Sequence, residues 1–333
     1  MQAVVVTGGA GFIGSHVCKA LERAGYLPVA YDNLSRGNRA AVRYGPFEHG
    51  DIRDVAMLEG VFRRYRAIGV IHMAAYAYVR ESMLDPLAYY ENNVVGSIRL
   101  LAAMQASGIP AIVFSSTCAV YGIARQIPIS EADPLEPINP YGSSKLAVER
   151  VLRDIGGRAG IRSLSLRYFN AAGSDPELEI GEWHNPETHV IPLCVMAARG
   201  EIDAFELLGN DHATQDGTPV RDYIHVEDLA AVHVRGLQYL LNDGATQALN
   251  VGLGHGHSVR DIIMAVEKVA SARVPVRVLE RHPADPPVLV ADGRAAEALL
   301  GFQPRHTDIE AMVAHAWAWR DKAASIYGLP AGS

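Results

Sequence analysis

Tyr141 and Lys145 stand four residues apart in INPYGSSK, so a helix there would carry both on one face. An ammonium beside a phenol favours the phenolate and draws the tyrosine pKa from near ~10 towards neutrality. The pair therefore reads as a general acid/base for physiological pH. A bare Y-x-x-x-K recurs by chance on many helices, and its weight here comes from what precedes it. Ser115, Ser116 and Thr117 follow the apolar run Ala111 to Phe114. Hydroxyls at the C-terminal edge of a parallel strand sit where such sheets bind ligands.

Further upstream, Val4, Val5 and Val6 read as a buried strand. Thr7 to Gly14 then packs in Gly8, Gly9, Gly11 and Gly14, and Ile13, Val17, Leu21 and Ala24 recur at helical spacing. Strand, glycine turn, helix is the context of a phosphate-binding turn. Gly8 permits the tight turn, Gly11 lets backbone approach a pyrophosphate, and Gly14 lets the helix pack close. The helix N-terminus at Phe12 and Ile13 offers free N–H groups to the phosphates. Asp32 closes a second strand 18 residues after Gly14 (32 − 14). An acid there accepts hydrogen bonds from an adenosine ribose and repels a 2′-phosphate, which favours NAD over NADP. Arg36 keeps the 2′-phosphate reading open.

The elements that must hold these groups alternate. Leu27 to Tyr31, a short run near Phe47, Gly69 to His72, Ala111 to Ser115 and Ile161 to Arg167 read as strands. Helical spacing follows Asp54, an expected N-cap, and Pro86 and Tyr141. The expected fold is α/β: a Rossmann-type doubly wound parallel sheet with a smaller mixed α/β substrate-binding domain. We expect an NAD-binding domain over 1–170, with a returning segment near 220–252, and a second domain over 171–333. Asp51 and Ile52 would face the adenine, and the small residues of Met73-Ala74-Ala75 would let backbone run beside the cofactor. Asn33, Asn92, Ser115 and Tyr168 complete the expected cofactor set. His72 reads as a packed strand-end histidine. Gly173 to Glu187, rich in Gly, Pro and acids, reads as a surface excursion.

Composition narrows the function. The chain has 333 residues, is 49% hydrophobic and 20% charged, and carries a formal charge of −7. A mildly acidic globular chain suits neither bulk nucleic acid nor an anionic membrane. Cys18, Cys118 and Cys194 are too scattered for a disulfide framework or a zinc site, so no metal is expected and a reducing compartment is. With no ~20-residue apolar run and a strand beginning at residue 4, a cytoplasmic protein is expected.

With these pieces placed, the chain resembles the extended short-chain dehydrogenase/reductases, and within them the UDP-glucose 4-epimerase (UDP-galactose 4-epimerase) family. The resemblance runs from Val4 to about residue 320. It rests on TGGAGFIGSH, GDIRD, DPLAYYENNV, FSSTCAVYG, INPYGSSK, LRYFNAAG, IGEWHNPETHVIP and DGTPVRDYIHVEDL, in the family's order. SSTCAVYG and IGEWHNPETHVIP are similar to epimerases of exopolysaccharide-producing bacteria. HMAAYAYVRES is similar to UDP-arabinose (UDP-xylose) 4-epimerases.

The resemblance implies an NAD-dependent isomerase, a homodimer of galactose metabolism, that interconverts UDP-galactose and UDP-glucose through a 4-keto sugar. UDP-xylose/UDP-arabinose and UDP-N-acetylglucosamine are alternative substrates. It implies that Tyr141 takes the proton of the 4-hydroxyl, that Lys145 tunes Tyr141 and holds the nicotinamide ribose, and that Thr117 stands beside the same hydroxyl. Net redox is zero, so NAD is resident. Asn170, His189, Val190, Arg221, Arg281 and Asp285 fall where the family contacts the UDP-sugar, and Arg221 suits a diphosphate. Three departures stand out. His282 replaces an arginine that reaches a phosphate, so Arg281 is expected to substitute or the grip to loosen. Ala77 replaces a lysine. Leu289 lies near the position that limits the sugar's C2 substituent. A 4,6-dehydratase needs a carboxylate pair after the strand-end hydroxyl, and Cys118-Ala119 stand there instead.

Overall fold

The computed structural model describes residues 1–156, 160–281 and 285–327. β1 (Ala3–Thr7) is buried at every position, as a strand covered on both faces should be. With β2 (Leu27–Asp32), β3 (Phe47–His49), β4 (Gly69–His72), β5 (Ala111–Thr117), β6 (Arg162–Tyr168) and the strand Gln247–Val251 it forms a seven-stranded sheet. The order is 247–251, β6, β5, β4, β1, β2, β3, and every neighbouring pair is parallel. The order reverses between β1 and β4. That switch point opens a crevice above the strands' C-terminal ends.

Helices cover both faces. On one, α1 (Phe12–Arg23) packs Val17, Cys18 and Leu21 with Leu229, Leu237 and Leu240 of the helix Val226–Leu241. On the other, α2 (Val55–Tyr65) contributes Leu58 and Phe62, beside Leu100 and Met104 of Gly96–Ala106 and Val148 and Leu152 of Pro140–Ile155. Residues 226–251 thus return to the first sheet. Asp54 caps α2 by accepting from Met57 N at 3.0 Å. The helix Val79–Leu84 was not expected from the sequence, whereas Tyr90–Val95 continues the helix expected from Pro86 with π winding.

A further core surrounds the helices Val190–Ala198, Val259–Ala270 and Ile309–Tyr327, with Ile191, Cys194, Phe205, Ile262, Val266, Met312 and Val313 buried together. The 173–187 segment is not the surface excursion expected. Ser174, Asp175 and Ile180 are wholly buried and Glu182 nearly so. The cause is Lys19 on α1. Its buried ammonium meets Asp175 at 2.7 Å and Glu177 and Glu179 at 2.8 Å each, drawing an acidic loop against the sheet's covering helix.

Candidate active site

The crevice is a cavity of about 570 Å³ above the switch point. Its first wall is backbone. Gly8 adopts φ +73°, open to glycine at little cost, and its N–H donates to Tyr31 O at 2.8 Å. A Cβ on Gly8 would lie 2.6 Å from Ala74 N, and one on Gly14 would lie 2.1 Å from Gly8 O. A Cβ on Gly11 would meet only Gly8 O, at 3.3 Å, and would otherwise fill the cleft. No side chain caps α1, so its first-turn N–H groups at Phe12, Ile13 and Gly14 stay available to a ligand. This cradle fits a dinucleotide diphosphate.

Asp32 closes that wall. Burial raises its carboxyl pKa, opposed by hydrogen bonds from Leu34 N at 2.8 Å and Ala10 N at 3.0 Å. Asn33 and Ile52 line the cleft beside it, as do Met73, Ala74, Ala75 and Asn92. Asp51 does not line it. Its carboxylate binds Arg53 at 2.7 Å and Asn33 at 3.0 Å, and those partners hold it well below the usual carboxylate range. Arg36 pairs with Glu81 and lies over the Tyr76 and Tyr78 rings.

At the cleft floor, Asn139 caps the helix Pro140–Ile155 by accepting from Gly142 N at 2.8 Å. Pro140 occupies its first turn. Tyr141 follows, 8% exposed, lining the cleft with Thr117, Ser115, Lys145 and Tyr168. Ser115 and Tyr168 share a 2.6 Å hydroxyl contact. Below them Arg167 and Glu149 form a buried ion pair at 2.6 Å that ties β6 to the helix.

The expected lowering of the Tyr141 pKa is not found. Burial pushes the phenol above its ordinary value, neighbouring Tyr168 adds to the push, and the nearby Thr117 hydroxyl opposes it. Burial also lowers Lys145 to about 7, against Glu149. Lys145 Nζ donates to Ser115 O at 2.7 Å, so its head group turns to the strand and not to the phenol. Spacing placed both residues on one face, but desolvation governs their ionisation. His72 is a packed residue, as expected. It bridges Thr7 at 2.7 Å and Ser97 at 2.9 Å, and burial lowers it to about 3.

The second wall is made of side chains. Asn170, His189, Arg221, Asp285 and Leu289 line it, as does Ala77 nearby. Arg221 and Asp285 pair with each other, with Arg221 also donating to Val220 O at 2.8 Å. Asp222 is structural. It accepts from the backbone of Leu253, Gly254 and Ala291 at 2.8, 3.0 and 3.1 Å. Val190 begins a helix just outside the lining, and Arg281 stands exposed beside Gly209, away from the cleft. The His282 departure lies outside the described residues.

Sequence reasoning missed Glu182, His184 and Glu187, which join His189 at this wall. Desolvation opposes charge on both histidines, less so on His189, whose side chain is 45% exposed, and the carboxylates outweigh it, raising His184 to about 9 and His189 to about 10. The signal was present in IGEWHNPETH, where acids and imidazoles crowd into eight residues, 182 to 189.

A parallel sheet with a glycine-turn cradle, a ribose-distance acid and a buried Tyr–Lys pair defines a dinucleotide-dependent enzyme of the α/β class. The profile of the NAD dependent epimerase/dehydratase family matches residues 4–252, and the chain belongs to that family. A UDP-glucose 4-epimerase of Rhizobium leguminosarum bv. trifolii is 48% identical over 97% of this chain and 98% of its own length. The structure of UDP-glucose 4-epimerase from Brucella ovis in complex with NAD superposes with a TM-score of 0.93. It is 46% identical, covering 96% of this chain and 98% of that one. The UDP-glucose-4-epimerase from Stenotrophomonas maltophila, with bound NAD and formylated UDP-arabinopyranose, also scores 0.93, at 37% identity over 98% and 99% of the two chains.

Proposed function

We propose that this chain is a UDP-glucose 4-epimerase that interconverts UDP-galactose and UDP-glucose through a 4-keto sugar, with NAD held in the cleft. The observation that carries the reading is one cavity lined both by the glycine-turn cradle and by Thr117, Tyr141 and Lys145.

Gly8, Gly11, Phe12, Ile13 and Gly14 would hold the cofactor diphosphate, and Asp32 its adenosine ribose. Bound NAD supplies reversible hydride acceptance and a positive charge that favours the phenolate. Tyr141 takes the proton from the sugar 4-hydroxyl and returns it after the keto sugar has turned over. Thr117 orients the phenol and the hydroxyl. Lys145, its pKa lowered by burial, anchors on Ser115 O and would present its charge to the cofactor ribose. Arg221 grips the substrate diphosphate once its Asp285 partner yields. Asn170 and His189 position the sugar side. Cys118, beside Thr117, has its thiol pushed up to about 12 by burial, so it stays neutral and supplies no base for a dehydratase.

The homodimer belongs to the same reading. Met83, Leu84, Leu87, Tyr90 and Ile98 are exposed apolar side chains on the 79–106 helices, suited to covering by a second copy. A cytoplasmic setting is supported by three buried free thiols. Among the described residues no helix is long and apolar enough to cross a membrane. Likeness of SSTCAVYG and IGEWHNPETHVIP to epimerases of exopolysaccharide producers supports a supply role there.

The test is incubation with UDP-galactose, UDP-xylose and UDP-N-acetylglucosamine without added NAD, with products separated by chromatography. UDP-glucose should form fastest, from UDP-galactose. No conversion, or turnover only with stoichiometric added NAD, would overturn the reading.

A further inference from the structure

Among the described residues, two histidine clusters lie outside the proton-transfer machinery. One is His225, His306 and His315. His225 Nδ1 accepts from Glu227 N at 3.1 Å, so its proton sits on Nε2 and faces His315 Nδ1 at 3.0 Å. That imidazole has no lone pair turned towards its neighbours, and the cluster is a hydrogen-bonded stack.

The other is different. Glu182 places a carboxylate oxygen 3.2 Å from His184 Nδ1 and 2.6 Å from His189 Nδ1. Glu187 places its oxygens 3.7 Å from His184 Nδ1 and 3.3 Å from His189 Nδ1. One donor atom from each residue lies within 4.8 Å of all the others. Ligands at 2.0–2.1 Å around a tetrahedral ion stand about 3.4 Å apart, close to these separations. His184 Nδ1 is buried and has no hydrogen-bond partner of acceptable geometry. A proton there meets the Glu182 and Glu187 carboxylates only out of alignment, at 3.2 and 3.7 Å, whereas a cation that displaces the imidazolium protons can bind all four atoms.

The supporting contacts also fit. Thr188 N and His189 N donate to a Glu187 oxygen at 2.7 and 2.9 Å. Trp319 Nε1 donates to Glu182 O at 2.9 Å. The Glu187 carboxylate is therefore held by backbone N–H groups, as metal-binding carboxylates are by their supporting shell, and Trp319 fixes the main chain of Glu182. The Glu182 and Glu187 side chains are only 6% and 4% exposed, so two negative charges are shielded from water and face two imidazoles. A donor set of two nitrogens and two carboxylate oxygens suits a borderline divalent ion and not calcium or magnesium.

We propose that Glu182, His184, Glu187 and His189 form a binding site for one divalent transition-metal ion of the Zn²⁺ class, at the cleft wall beside Phe12 and Tyr78. This proposal shares His189 with the epimerase reading but does not depend on it, and its test reads binding, not turnover. Tag-free protein, treated with chelator and dialysed, is titrated with Co²⁺ and monitored by visible absorption. Zn²⁺ is then added as competitor, with calorimetry as a second readout. One equivalent of Co²⁺ should give the intense bands of a tetrahedral site, and Zn²⁺ should displace it. Glu187→Gln and His184→Gln should each weaken Zn²⁺ by more than the ~10–100-fold typical of losing an outer partner. His315→Ala should bind as the parent does. His189→Asn replaces either variant that fails to fold, judged by its melting temperature in chelator. No saturable binding overturns the proposal. So does the pale spectrum of octahedral Co²⁺, or binding that survives Glu187→Gln but is lost in His315→Ala.

Discussion

The glycine-turn wall and the 173–189 wall face the same cleft and are held by opposite means. The first is shaped by backbone. Gly8 and Gly14 let chain segments approach where any Cβ would collide, and the sheet beneath is packed on both faces by apolar clusters. The second is shaped by charge. Lys19 draws in Asp175, Glu177 and Glu179, while Glu182 and Glu187 gather two histidines. Backbone recognition suits the part every cofactor molecule shares. Side-chain recognition suits the part that must hold a sugar nucleotide while its ring turns over. Between the walls lies Tyr141, whose burial keeps it protonated until positive charge enters the cleft.

The largest expected effect falls between the walls. Tyr141→Phe should fold and retain cofactor but lose about 10³-fold in kcat, the scale of a principal acid/base. Near-normal turnover would remove the phenol from the chemistry.

On the charged wall, Lys19→Met leaves the fully buried Asp175 without its ammonium and should lower unfolding free energy by about 3 kcal/mol in urea titrations. Adding Asp175→Leu should recover much of the loss, because the burial penalty leaves with the charge. If the single variant is as stable as the parent, the clasp does not hold that wall.

The backbone wall is sharpened by two glycines. Gly14→Ala forces a Cβ to 2.1 Å from Gly8 O and should destabilise by about 2 kcal/mol. Gly11→Ala meets little protein and should leave the melting temperature of the cofactor-free chain unchanged while releasing cofactor on gel filtration. Equal effects of the two would erase the distinction between a packing glycine and a ligand-facing one.

The last effect is a slope. Folding lowers Lys145 from 10.5 to about 7, so between those values the unfolded chain binds a proton that the folded one does not. Stability of the cofactor-free protein should therefore rise with pH across that window, by at most about 1.4 kcal/mol per unit. Lys145→Met should remove this slope. A parent and variant with parallel pH profiles would contradict the burial of that ammonium.

The same contrast explains what the sequence revealed. β1, the glycine turn and Asp32 are encoded within a few dozen consecutive residues, so spacing alone located them. Asn139, Pro140 and Tyr141 are equally local. Lys19 and Asp175, by contrast, are 156 residues apart, and nothing near either announces the other. An acidic, glycine-containing stretch then resembles a solvated loop. The Arg221–Asp285 pair was hidden for the same reason, each residue being read separately as a substrate contact. The Tyr141 ionisation was misjudged because i,i+4 spacing specifies a face but not where a long lysine side chain ends. Asp51 was placed by position, yet the adjacent Arg53 engages its carboxylate.

The most direct measurement follows one hydrogen. Purified protein, with no NAD added, is given UDP-galactose carrying deuterium at C4, and the UDP-glucose formed is examined by mass spectrometry and NMR. If C4 is oxidised and reduced again inside one closed cleft, the product keeps its deuterium at C4 with no loss to water. Exchange of that deuterium with solvent, or its appearance in free nicotinamide cofactor, would contradict a resident cofactor and the enclosed proton transfer built around Tyr141.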